Sequence, residues 1–280
     1  MALILAGALA LTLSAQAAPT QRSLIVTSQD HSLVDSDDCE HFHTRNLTSL
    51  PALARSEEER QVPLLDVKIL RVRTSEGGGV SVKGWDRPFA RLTVCKSAMA
   101  LSEDAARRAL QSISVAVDGG DITAFGPGST ASQTWWVHMI LNVPRDKHLD
   151  VEAANGGIAI RNMQGAVTAR STNGGISLAS CAGENKVTTL NGGISLDRIS
   201  GTIDATSRKG SISYKLRSVA VPVIEARTED SGEILCNLKG CTDGLGDWTA
   251  DRKQLRIGRG SAPSVRLTSY SADIMIEQVR

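Results

Sequence analysis

Aromatic side chains are scarce: four Trp, two Tyr and three Phe make up 3% of a 280-residue chain. A core without them must be built from Ile, Val, Leu and Ala, which suits narrow regular layers better than a bulky, irregular interior. An excess of one charge is also lacking, since 31 Lys and Arg face 30 Asp and Glu for a formal net charge of +1. The chain as a whole therefore sets up no field to gather nucleic acid or an anionic membrane, and neither is an expected partner. No Cys-x-x-Cys pair, no Gly-x-Ser-x-Gly elbow and no phosphate-binding loop occurs, which leaves zinc-ribbon, serine-hydrolase and nucleotide-hydrolase readings without an anchor. What is present, 41% hydrophobic and 22% charged residues, is the composition of a folded globular chain and not of a disordered one.

Met1 to Ala17 carries no charge, is largely apolar from Ala2 to Leu13 and ends in Ala15-Gln16-Ala17. That small-x-small ending predicts a secretory signal peptide over residues 1–17, cut before Ala18, although no positive n-region precedes it. The run is shorter than the ~20 residues that span a bilayer, and no later stretch is longer. The mature protein is thus expected to be exported, to the periplasm or the cell surface, where disulfides persist. Its cysteines are Cys39, Cys95, Cys181, Cys236 and Cys241, an odd number that leaves at least one unpaired within the chain.

Glycine recurs every nine residues at Gly156, Gly165, Gly174, Gly183, Gly192, Gly201 and Gly210. Alternate units differ, so the full period is eighteen: Asn155-Gly156-Gly157-Ile158, Asn173-Gly174-Gly175-Ile176 and Asn191-Gly192-Gly193-Ile194, then Lys209-Gly210-Ser211-Ile212 without the Asn. At that spacing like falls on like, in the columns Ile158, Ile176, Ile194, Ile212 and Val151, Ala169, Val187, Ala205. Apolar and polar residues alternate within each unit, the period of a strand with one buried face. The expected fold is all-β, a β-solenoid of eighteen-residue coils whose parallel ladders bury rungs that no single coil could bury. An antiparallel meander or sandwich is the alternative, because Asn-Gly between alternating strands is a hairpin signal. In either fold Asn155, Asn173 and Asn191 are expected to form an amide ladder and to accommodate a left-handed turn.

Weaker Gly-x-Ile/Val cassettes extend the β region from about Leu65 to the C-terminus, and Asn185 stands where an apolar rung is expected. One helix interrupts it, with Ser102 as N-cap and Glu103 and Asp104 in its first turn. The domain reading is a signal peptide (1–17), a loosely ordered arm (18–63) and one β domain (64–280) with a regular core over 149–217. Cys181 shares a core column with Met163 and Ile199, so it is the expected free, buried thiol. The other four cysteines allow three connectivities, of which Cys39 with Cys95 and Cys236 with Cys241 is the one expected.

Calcium in the turns is not expected, since no Asp recurs there to supply hard oxygen ligands. His31, Cys39, His41 and His43 are the weak candidates for a metal, against a polar exposed tail, and no cofactor is implied. In the solenoid register Asp150, Thr168, Lys186 and Asp204 share one outward column, where Lys186 and Asp204 read as a surface ion pair; Arg161, Asp197 and Lys215 share another. No isolated pair of acids emerges for catalysis. Trp135 and Trp136 are adjacent in a strand, so one faces inward and the other is the candidate binding platform.

The cassettes Gly78-Gly79-Val80-Ser81-Val82-Lys83-Gly84-Trp85-Asp86, Val143-Pro144-Arg145, Leu149-Asp150-Val151 and Asn-Gly-Gly-Ile resemble those of the "putative adhesin" domain family of bacterial exported proteins. The resemblance covers some 210 residues and implies a non-enzymatic adhesin or cell-envelope binding or structural module, whose partner would be a surface glycan or an envelope protein. It brings no catalytic residues. The alternative is a polysaccharide-acting enzyme on a β-helix scaffold.

Overall fold

The computed structural model describes Cys39 and residues 50–217, 221–242, 246–249, 251, 253–260, 262 and 264–279. Strands dominate, in a large mixed sheet that does not close on itself. In chain order the first half comprises β1 (Ala52–Pro63), β2 (Ile69–Gly77), β3 (Val80–Trp85), β4 (Phe89–Ala100), α1 (Glu103–Gln111), β5 (Ser114–Asp118), β6 (Asp121–Phe125), β7 (Gln133–Pro144), β8 (His148–Asn155) and β9 (Ile158–Arg161). There follow β10 (Val167–Asn173), β11 (Ile176–Ala179), β12 (Glu184–Asn191), β13 (Ile194–Asp197), β14 (Thr202–Lys209), β15 (Ile212–Leu216), β16 (Ile224–Thr228), β17 (Ile234–Cys236), the single turn α2 (Lys239–Thr242), β18 (Asp247–Trp248), β19 (Gln254–Ile257), β20 (Val265–Ser269) and β21 (Ile274–Gln278).

Each repeat strand pairs with its counterpart in the next repeat. β8, β10, β12 and β14 run parallel with Val151, Ala169, Val187 and Ala205 in register; β9, β11, β13 and β15 do so with Ile158, Ile176, Ile194 and Ile212. Both columns are buried in one core between two strand runs that pack face to face, an arrangement that fits the sandwich alternative. Burying one such Ile is worth about 1.5–3 kcal/mol over leaving it in water, which is why the apolar alternation dictates the register. Antiparallel pairs occur toward the two ends: β1 with β4, β4 with β7 and β5 with β6 at one, β16 with β19 and β18 with β19 at the other. The outer strand β1 carries Arg55, Glu57, Glu58 and Glu59 on its exposed length, charges that discourage another chain from adding to the edge.

Chain order and spatial order part at both ends. β2 and β3 lie between β6–β7 and β8–β9, and β20 and β21 are inserted between β14–β15 and β16–β17.

The corners explain the glycines. A Cβ on Gly174 would stand 2.2 Å from the Gly156 carbonyl oxygen, so stacked corners approach too closely for any side chain. A ladder of hydroxyls inside the same corner holds the carbonyls: Ser171 donates to Gly156 O at 3.1 Å, Thr189 to Gly174 O at 2.9 Å and Ser207 to Gly192 O at 3.0 Å. Outside it the expected amide ladder is formed, Asn173 Nδ2 to Asn155 Oδ1 and Asn191 Nδ2 to Asn173 Oδ1, each at 2.7 Å. The left-handed conformation expected of these asparagines is found elsewhere, at Asn162, Ser180 and Arg198 (φ 60°, 53° and 54°), because the corner that needs it is the opposite one. Asn185 occupies its apolar column buried, and its Nδ2 donates to Gly183 O and Thr202 O.

The helix α1 begins where the capping pattern places it, with the Ser102 hydroxyl accepting from Ala105 N. It packs Ala106 against Ala52 and Ala100. Residues 52–63, which lack a clear period in the sequence and were expected in a loose arm, form β1; pairing along all twelve residues with β4 supplies the order that periodicity did not signal. Two disulfides join Cys39 to Cys95 and Cys236 to Cys241, and Cys181 is free and buried.

Candidate functional site

A shallow groove of 410 Å³ crosses the outer face of β8, β10, β12, β14 and β20. Its floor comes from one outward column, Glu152, Arg170, Thr188 and Thr206, in continuous register. One wall is the next outward column, Thr172, Leu190 and Arg208, closed by Tyr270 at the end of β20. Leu190 is 39% exposed and Tyr270 36%, and the Arg208 guanidinium lies 5.9 Å from the Tyr270 ring centroid. The arrangement offers hydroxyls at rung spacing, a ring edge, an apolar contact and two arginines along one line. Such groups hold a polar ligand by hydrogen bonds and stacking.

The carboxylates at the groove are tied to bases. Arg170 Nη1 lies 2.7 Å from Asp150 Oδ1, and Arg73 lies within ion-pair distance of Asp121, Asp150 and Glu152. Lys186 and Asp204 are neighbours in register, but no ion pair forms between them; Asp150, in the same outward column, pairs diagonally with Arg170 and Arg73 of the two adjoining strands. Asp197 pairs with Arg198. Acid–base hydrolysis would need two carboxylates free to play opposite roles, and Asp150 and Glu152 are not so placed.

Trp135 is buried, with its indole nitrogen donating to Pro127 O and its ring against Gly126. Its neighbour Trp136, on the opposite face of β7, is only half-buried and packs beside Gly77. Among the expected metal candidates, His31, His41 and His43 lie outside the described residues, as does the expected signal peptide. Cys39 is bound in a disulfide and offers no thiolate. Among the described residues no group of three or more His, Cys, Asp or Glu is placed to hold a metal.

Ser81 and His138 form a buried pair across β3 and β7, with Oγ 3.0 Å from Nε2. Desolvation lowers the His138 pKa to about 3, so its imidazole is neutral. Burial of both residues keeps them from a solute. The sequence signal for the groove was partial: Thr188 and Thr206 recur at the repeat spacing, whereas Tyr270 reaches them only because its strand is inserted from a distant part of the chain.

No family of known proteins matches the chain, and no curated protein does. Nine chains of known structure match it. A "putative cell adhesion protein" from Clostridium sporogenes has 11% identity and a TM-score of 0.42, covering 81% of this chain and 100% of its own. A "putative adhesin" from Bacteroides fragilis has 10% identity and a TM-score of 0.41, covering 80% and 97%. A "putative lipid binding protein" from Parabacteroides distasonis has 9% identity and a TM-score of 0.29, also covering 80% and 97%. Likeness at this level carries no argument about activity. Among the described residues no helix is long and apolar enough to cross a membrane.

Proposed function

We propose that this chain is an exported, non-enzymatic β-repeat protein, an adhesin-type binding module of the cell envelope. Its eighteen-residue coils stack as a β-solenoid, and its ligand, a surface glycan or an envelope polymer, lies in the Tyr270 groove. The observation that carries this reading is the convergence of Arg170, Thr188, Thr206, Leu190, Arg208 and Tyr270 on one open line across four strands. Thr188 and Thr206 present like hydroxyls on adjoining strands about 4.8 Å apart, and the run of polar groups across successive strands favours an extended chain over a compact solute. Two disulfides fit an oxidising compartment outside the cytoplasm.

The test is a glycan-array and cell-surface binding screen of the purified protein, with polysaccharide hydrolysis measured on the same samples. Capture that falls at least tenfold in Tyr270→Ala and Arg208→Ala supports the groove. Loss in Trp136→Ala with Tyr270→Ala unaffected would transfer the site to Trp136. Cleavage that disappears in Asp150→Asn would replace the binding module with an enzyme.

A further inference from the structure

A near-zero net charge conceals a local concentration of cations at the turn between β3 and β4. Trp85 ends β3 on the outer face, and its indole nitrogen donates to Phe89 O at 2.9 Å across the turn. Phe89 meets the indole edge-on, with ring centroids 5.1 Å apart. Two guanidinium groups address this one indole, Arg87 at 4.9 Å and Arg91 at 5.5 Å from the ring centroid. Register brings Lys83 and Arg91 to either side of Asn142 on the same face, and Arg145 follows at the end of β7. The carboxylate of the turn, Asp86, is occupied: Arg145 holds it at two points, 2.9 and 3.0 Å. Arg87 and Arg91 have no carboxylate partner among the described residues, and the Arg91 Nε is buried without a hydrogen-bond partner.

We propose that this turn is a second binding site, distinct from the groove, for a phosphate-type oxyanion carried by a small solute or a lipid headgroup. The chemistry follows from the groups present. A guanidinium presents a planar fork of donors that matches two oxygens of a phosphate, and the bond is strengthened because both partners are charged. The indole holds both forks in place by attraction between cation and ring, so less side-chain freedom is lost when the anion arrives. The rigid turn, pinned by the Trp85-to-Phe89 hydrogen bond, keeps the indole from rotating away.

The experiment titrates the full chain with inorganic phosphate, and separately with phosphatidylglycerol or phosphatidylcholine vesicles, while following tryptophan emission. A saturable change that weakens with added salt is expected, absent in Trp85→Phe and at least tenfold weaker in Arg87→Gln and Arg91→Gln. Arg91→Lys, which keeps the charge and loses the fork, is expected to fall between. Response to inorganic phosphate supports a free solute as the source, and response to phosphatidylglycerol vesicles alone supports a headgroup. Unchanged melting temperatures for the Gln variants tie their loss to binding. Emission indifferent to every probe, or a response that persists in both Gln variants, overturns the site.

Discussion

The Thr189 hydroxyl donates to the carbonyl of Gly174 at 2.9 Å, from inside the core to the corner of the preceding repeat. Thr189→Val would keep the shape and leave that carbonyl without its partner, at a cost of about 1–2 kcal/mol. Thr188→Val, one residue away and outward, should change stability by less than about 0.5 kcal/mol. Urea unfolding of the two variants measures the difference; equal midpoints would mean that the hydroxyl ladder contributes nothing.

Close approach of corners makes a sharper contrast between two glycines. Gly174→Ala would place a methyl 2.2 Å from backbone oxygen that cannot move without moving its own strand, while at Gly157 the nearest atom is 3.4 Å away. Gly174→Ala is expected to cost about 3 kcal/mol or more and Gly157→Ala less than about 1 kcal/mol. Thermal melts decide it, and similar losses for both would refute the stacking distance as the reason for the repeat.

His138 predicts a pH dependence. Its folded pKa, about 3, lies below the ordinary 6.5 of an unfolded histidine, so between those values the unfolded chain binds the proton and the folded one does not. Stability is therefore full above pH 6.5 and falls as the pH drops toward 3, by several kcal/mol in total. His138→Gln cannot take up the proton, and its unfolding free energy should fall less between pH 7 and pH 4 than that of the wild type. Parallel slopes for the two proteins would remove His138 as the cause.

Burial raises the Cys181 thiol pKa above its ordinary value and shields it from reagents. The native, non-reduced protein should consume no thiol reagent at pH 8, and one equivalent once it is unfolded in guanidinium. Two or more equivalents without reductant would show that a disulfide is absent.

The repeat was legible in the sequence because its cause is local and recurrent: Ile194 and Gly192 each meet the same neighbour one period away. Cys181 could be assigned to the core for the same reason. β1 was missed because its exposed run from Arg55 to Glu59 answers to an edge position and not to a buried face. The left-handed residues were sought at asparagine, the type that tolerates that conformation best, yet Ser180 and Arg198 adopt it where the corner geometry requires it. Tyr270 reaches the groove through pairing between separate parts of the chain, for which no spacing rule exists; the cluster at Trp85 is local, from Trp85 to Arg91, but belongs to no recurring pattern that would single it out.

The inserted pair β20–β21 carries a consequence for the order of events during synthesis. The strands on either side of its slot, β14–β15 and β16–β17, are synthesised before the segment that fills it, so a growing chain leaves four strands without a partner on that side until residues beyond Ser264 emerge. Stepwise growth from the N-terminus can complete the middle repeats but not this end, where the final addition must enter laterally between strands already in place. Non-local pairing of this kind slows folding and lengthens the time for which bare edges can meet other chains. The export proposed above would profit from that delay, since a polypeptide that cannot finish folding early remains open to being threaded.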